Sequence, residues 1–168
     1  MKRILLTGMS GTGKSTVITA LAARGYRAID LDTEEWSHWV PVEGVEADGR
    51  ADEGSIWRDR DWVWREDRVE RLLAREEGDV LFVSGTSPNQ GRFRGWFDHV
   101  VLLSAPAAVL VERLATRTTN TYGKSPEELA RVLEHLETVE PLLRRAATVE
   151  IDTSAPRDAV VRAVEEMV

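Results

Sequence analysis

Lys14 and Ser15 close the stretch Gly8-Met9-Ser10-Gly11-Thr12-Gly13-Lys14-Ser15, which fits the phosphate-loop pattern G-x-x-x-x-G-K-[ST] at every required position. Glycines at Gly8, Gly11 and Gly13 allow the backbone to fold tightly enough to aim several N–H groups at one phosphate. The ammonium of Lys14 suits β/γ-phosphate oxygens, the Ser15 hydroxyl suits Mg²⁺, and Ser10, Thr12 and Thr16 complete the set expected around the phosphates. The flanks agree with this chemistry. Lys2 to Thr7 is a short aliphatic run that predicts a buried strand. Val17, Ile18, Leu21 and Ala22 recur at helical spacing, so the loop opens a helix whose N-terminus favours an anion. Binding of a nucleoside triphosphate is the expectation.

Other chemistry-bearing residues follow predicted strands. Asp30 and Asp32 end the run Ala28–Asp32 and, alternating along a strand, begin on opposite faces. A carboxylate there can hold a metal-bound water or accept the proton of an attacking hydroxyl. Asp32 can equally cap a following helix, with Glu35 completing a capping box. Arg113 and Arg117 are one helical turn apart, beside the polar stretch 118–125 that contains Lys124. Such a pair can stack on a base and clamp phosphate when a small lid closes. Ser84 to Gly91 supplies backbone N–H groups near Gly85, plus Asn89 and Gln90, for an acceptor. His38, His99 and His135 show no metal spacing.

The elements that must position these groups alternate. Strands are expected at 2–7, 28–32, 79–83, 99–103 and 148–151. Helices are expected after the phosphate loop, from Thr33, over 57–76, from Pro106 to about Arg117, from Ser125 to about Ala146, and over 157–167. This alternation predicts an α/β fold with a parallel sheet covered on both faces. Ligands in such sheets bind beyond the carboxyl ends of the strands. The phosphate loop, Asp30/Asp32, Ser84–Gln90 and Asp152–Ser154 therefore converge on one cleft. Trp36, Trp39, Trp57, Trp62 and Trp64 crowd the middle of the chain with Arg58, Arg60, Arg65 and Arg68. Residues 33–76 thus form the expected acceptor lobe, its aromatic faces for apolar or sugar-like surface and its arginines for an anion, with several tryptophans forming the lobe's own small core.

A length of 168 residues is expected to make one domain. A net charge of −7 without a basic cluster argues against nucleic acid as a partner. The absence of cysteine excludes disulfides and thiol chemistry. No apolar run approaches a membrane span, and the short N-terminal run ends at once in the glycine loop, so a cytoplasmic monomer or homodimer is expected.

These pieces together resemble the shikimate kinase, gluconate kinase and adenylate kinase group of small P-loop kinases. The resemblance implies a P-loop three-layer sandwich, a five-stranded parallel sheet of order 2-3-1-4-5, and transfer of the γ-phosphate of ATP, with Mg²⁺, to a small-molecule hydroxyl. Asp30-Leu31-Asp32 resembles the shikimate kinase Asp-x-Asp, which implies that Asp30 organises the metal and Asp32 meets the acceptor hydroxyl. Trp64-Arg65 is similar to that family's Phe-Arg, implying a carboxylate grip by Arg65. Arg113 to Arg117 resembles the lid Arg-x-x-x-Arg, and Ile151-Asp152-Thr153-Ser154 the adenine-side loop. Three departures stand out. The triple glycine is Ser84-Gly85-Thr86, the lid Arg-Pro is absent from Thr121–Lys124, and a second substrate arginine falls at Val139. These imply an acceptor other than shikimate. A nucleotide kinase, with Arg58, Arg65 and Arg92 around a second phosphate, and a non-catalytic ATP-binding regulator are the alternatives.

Overall fold

Aliphatic runs at the centre of this chain have nowhere to go but between two layers of helix. The computed structural model describes residues 1–41 and 60–168. Its main sheet is five-stranded and parallel, in the order β2 (Arg27–Asp30), β5 (Val80–Ser84), β1 (Lys2–Thr7), β6 (His99–Ser104), β7 (Val149–Asp152). Numbered among the parallel strands alone, this is the expected 2-3-1-4-5. β1 lies at the centre and sends alternate side chains to opposite layers. Ile4 and Leu6 pack with Val17, Ile18 and Leu21 of α1 (Lys14–Ala23) and with Val160, Val161 and Val164 of α6 (Arg157–Glu165). Leu5 packs on the other side with Trp64, Phe93, Phe97 and the buried face of α2 (Glu66–Ala74), Val69, Leu72 and Leu73. No helix among the described residues is long and apolar enough to cross a membrane.

The middle of the chain departs from the expected helices. A helix from Thr33 does not form. One turn closes instead, with Ser37 N–H donating to Thr33 O at 2.8 Å, and the chain enters β3 (Ser37–Pro41). The long helix expected over 57–76 is helical only from Glu66. Before it lies β4 (Arg60–Trp64), antiparallel to β3 with Trp39 opposite Trp62. Cross-strand aromatic pairing and the burial of Trp64 outweigh helical spacing here. Trp57 and Arg58, and the acidic loop from 42 onward, lie outside the described residues.

After β6 comes α3 (Ala107–Thr116), and then α4 (Pro126–Thr138), which Ser125 caps by accepting the Glu128 N–H at 3.2 Å. The helix expected to run on to Ala146 breaks at Val139 into α5 (Glu140–Ala146). Pro141 has no N–H to continue the ladder, which accounts for the break.

Candidate active site

The phosphate loop is bound tightly into the strands beneath it. A Cβ on Gly8 would lie 2.3 Å from the Leu103 carbonyl oxygen, so only glycine lets the loop approach β6 this closely. Thr12, fully buried, donates its hydroxyl to Met9 O at 2.8 Å and staples the loop from inside. Gly13, at φ 93°, turns the chain into α1, whose N-terminus carries no side-chain cap. Lys14 Nζ lies along the loop and donates to Gly8 O at 2.6 Å and Met9 O at 3.2 Å. Its pKa is lowered by burial, against the opposing pull of Asp32 and Asp30. Uncapped helix N–H groups beside a lysine are a donor set for polyphosphate.

The expectation that Asp30 and Asp32 face apart is corrected by the turn between them. β2 ends at Asp30, whose Oδ1 accepts the Asp32 N–H at 2.9 Å, a local bond that competes with strand extension. Both residues therefore line the same cleft. Asp30 Oδ2 accepts from Ser15 Oγ at 3.1 Å, so a carboxylate and a hydroxyl converge as a hard oxygen pair that fits Mg²⁺. Asp32 caps no helix. Its Oδ1 accepts the Thr86 N–H at 3.3 Å, and a Cβ on Gly85 would stand only 3.0 Å from the same oxygen and 3.1 Å from Trp64 Nε1. Enclosure on that side pushes the Asp32 carboxyl up from 3.8 to about 6, with Lys14 opposing and Asp30 adding to the rise, although its outer edge opens to the cleft.

Thr86 is a structural partner that the sequence pattern did not single out. Its hydroxyl donates to Gly8 O at 2.6 Å and meets Thr7 Oγ1 at 3.0 Å, while its N–H holds Asp32. One residue thus ties the phosphate loop to the carboxylate. Its position directly after the Ser84-Gly85 strand end was the available signal.

Two cavities flank this junction. The smaller, 510 Å³, is lined by the loop from Ser10 to Thr16, by Asp30 and Asp32, and by Arg113, Arg117 and Thr153. Arg113 braces this wall: its guanidinium donates to Gly11 O at 3.2 Å, to Thr153 Oγ1 at 3.0 Å and to Thr153 O. Ser154 turns back to Asp152 instead, donating from both N and Oγ to Asp152 Oδ1. Arg117 donates to Tyr122 O at 2.6 Å, while its Nε is buried without a hydrogen-bond partner. Its pKa is lowered by burial, with Glu128 opposing.

The larger cavity, 920 Å³, extends from Gly8, Lys14 and Asp32 past the β3–β4 hairpin to α4 and α5. Ser10, Lys14, Asp32 and Asn120 line both cavities. Arg65 and Asn89 line neither. Arg65 donates to Glu34 O at 3.3 Å, and Asn89 holds the backbone of Trp64 from both sides, accepting its N–H at 3.2 Å and donating to its carbonyl at 3.0 Å. Gly85 stands behind Asp32 and packs against Trp64. Besides Lys14, the cations lining the larger cavity are Arg60 on β4 and Arg131 on α4. Among the described residues no cluster of His, Cys, Asp and Glu forms a metal site of its own.

A family model described as AAA domain matches residues 4–134. The chain is 27% identical to the dephospho-CoA kinase of Deinococcus radiodurans, the match covering 95% of this chain and 87% of that protein. Among solved structures, a shikimate kinase from Bacteroides thetaiotaomicron superposes with a TM-score of 0.61 at 22% identity, covering 99% of this chain and 97% of that one. A gluconokinase from Sinorhizobium meliloti 1021 superposes with a TM-score of 0.58 at 26% identity, covering 96% and 87% respectively. The fold is that of these small P-loop kinases.

Proposed function

The chain belongs to the AAA domain family, and from that premise we propose that it is an ATP-dependent kinase acting on a hydroxyl of a small-molecule acceptor. The carrying observation is the junction of two cavities at Ser10, Lys14, Asp32 and Asn120. A phosphate chain in the smaller cavity and an alcohol in the larger meet there, beside one ammonium and one carboxylate.

Phosphoryl transfer asks chiefly for positioning and charge neutralisation. The α1 N–H groups and Lys14 hold the phosphates and stabilise charge developing on the transferred group. Arg117 adds a second cation from the far side. Asp32 orients the acceptor hydroxyl and accepts its proton as the new P–O bond forms, the β–γ bridge breaks and ADP leaves. A carboxyl lifted to about 6 is ionised at neutral pH yet basic enough to take that proton. Ser15 and Asp30 would hold Mg²⁺, which supplies further neutralisation of the phosphates.

A nucleotide kinase needs arginines gathered about a second phosphate. Arg65 is engaged with Glu34 O, Arg92 pairs with Glu66 at 2.9 Å, and Arg58 lies outside the described residues. That reading has the weaker support. Dephospho-CoA and gluconate, the substrates named for two of these relatives, are first acceptors to try alongside other alcohols.

The test is acceptor-dependent ADP release with ATP–Mg²⁺ for wild type and Lys14→Ala. Release with at least one acceptor is expected, with a fall of at least about 10²-fold in the variant. ATP binding without acceptor-dependent release, or equal turnover by the variant, would sink the kinase reading in favour of a nucleotide-binding regulator.

A further inference from the structure

The larger cavity has walls that phosphoryl transfer does not explain. One is the β3–β4 hairpin, where the Trp39 and Trp62 rings pair with centroids 5.0 Å apart at 56°. Another comes from α4 and α5 and includes Val132, Leu142 and Leu143. Most apolar side chains of this size are withdrawn from solvent. Among the described residues only Trp39, Leu133, Leu142 and Val168 are exposed, and Trp39 at 38% and Leu142 at 58% both line this one cavity. Single exposed leucines mean little, but apolar side chains gathered on two walls of one concavity mark a ligand surface.

Charge gives the cavity no strong preference. Lys14, Arg60 and Arg131 are matched in number by Asp32, Glu34 and Asp61. Lys14 and Asp32 belong to the transfer end, and Arg131 is hydrogen-bonded to the Tyr122 side chain. Recognition therefore falls to the apolar walls. A sugar or sugar acid carries a hydroxyl on nearly every carbon, and each one desolvated against Trp, Val or Leu loses its partner. A flat ring loses nothing there and gains aromatic contact. A monosaccharide would also leave much of 920 Å³ unfilled.

We propose that the acceptor is an alcohol carried on a flat, largely apolar ring system. The ring lies on the Trp39–Trp62 pair and the hydroxyl turns toward Asp32. The word acceptor rests on the kinase reading; recognition of the ring does not.

The experiment is calorimetric titration of the full chain with 2-naphthalenemethanol and, separately, with gluconate. Wild type, Trp39→Ala, Trp62→Ala and Leu142→Asn are compared, the last at an exposed position that tolerates change if a hairpin variant fails to fold. Naphthalenemethanol is expected to bind at least about tenfold more tightly than gluconate. Each substitution that leaves the fold intact is expected to weaken it about five- to tenfold, with ATP affinity unchanged. Tighter binding of gluconate, naphthalenemethanol binding that is indifferent to all the folded variants, or none at about 1 mM would overturn the proposal. ADP release is measured in parallel and separates the two readings. Tryptophan-dependent binding in a protein that releases no ADP with any acceptor would sink the kinase reading and leave the ring site standing. ADP release with gluconate that Trp39→Ala does not slow would sink the ring proposal and leave the kinase.

Discussion

Asp32 is the residue on which site chemistry and folding pull in different directions. Burial behind Gly85 and Trp64 raises its carboxyl pKa to about 6, against Lys14 and the hydrogen bond from the Thr86 N–H, which lower it. An acid raised on folding holds its proton more tightly in the folded chain. Its contribution to stability is complete below 3.8 and is lost as pH rises through about 6. The open outer edge of Asp32 screens this charge, so the stability effect is small and activity is the better readout. If Asp32 takes the acceptor proton, kcat/KM with unsaturated substrates should rise about tenfold per pH unit below about 6 and level off above it. Asp32→Asn should lower kcat by roughly 10²- to 10⁴-fold and abolish that limb. A variant that retains the limb would assign the titration to another group. The sequence placed this residue at the strand end but left open whether it serves the cleft or caps a helix, and no helix forms there for it to cap. What it concealed was the turn at Asp30, set by a side-chain bond of its own.

At the scale of elements, Arg113 on the last turn of α3 and Arg117 just past its end both enter the cleft, with different partners. Arg113 is consumed by structure, tying the phosphate loop at Gly11 to Thr153 beyond β7. Among the described residues Arg117 donates to the Tyr122 carbonyl alone, and its Nε has no hydrogen-bond partner. Arg117→Ala should therefore lower kcat by at least about 10²-fold with little change in Tm. Arg113→Ala should chiefly raise KM for ATP and lower Tm by a few degrees, since it removes hydrogen bonds worth about 1 kcal/mol or more each. Steady-state kinetics beside thermal melts decide between these patterns, and matching effects from both variants would refute the division. Spacing alone predicted that the arginines share a helix face, and it missed that the helix ends before Arg117. It did not reveal which one the fold had already engaged. The hairpin was less legible still. Trp62-Val63-Trp64 alternates with period two, but the arginines and acids around it imitate a helix surface, and only pairing with the distant Trp39 settles the matter.

At the scale of the molecule, alternation of aliphatic runs with helical spacing carried the parallel sheet and its two covering layers, while the order 2-3-1-4-5 came from the resemblance to small P-loop kinases. Whether the two helical layers form one cooperative unit is a separate question, and β1 bears on it directly. Ile4 and Leu6 belong to the core under α1 and α6, while Leu5, between them, belongs to the core that contains Trp64. Neither layer can loosen without disturbing the strand that both require, so we propose a single folding domain. The tryptophans allow a clean test. Trp36, Trp64 and Trp96 pack in the Leu5 core, and Trp39 pairs with Trp62 on β3 and β4. No tryptophan among the described residues belongs to the core under α1 and α6, so fluorescence does not sense that layer directly, while far-ultraviolet dichroism reports both. Urea unfolding should give coincident transitions by the two signals. Leu6→Ala removes side-chain volume from the layer that contains none of these tryptophans, at a cost of about 2–5 kcal/mol. If the domain is one unit, the fluorescence midpoint must fall together with the dichroism midpoint. A fluorescence curve that stays in place while dichroism shifts would show that the two layers unfold separately.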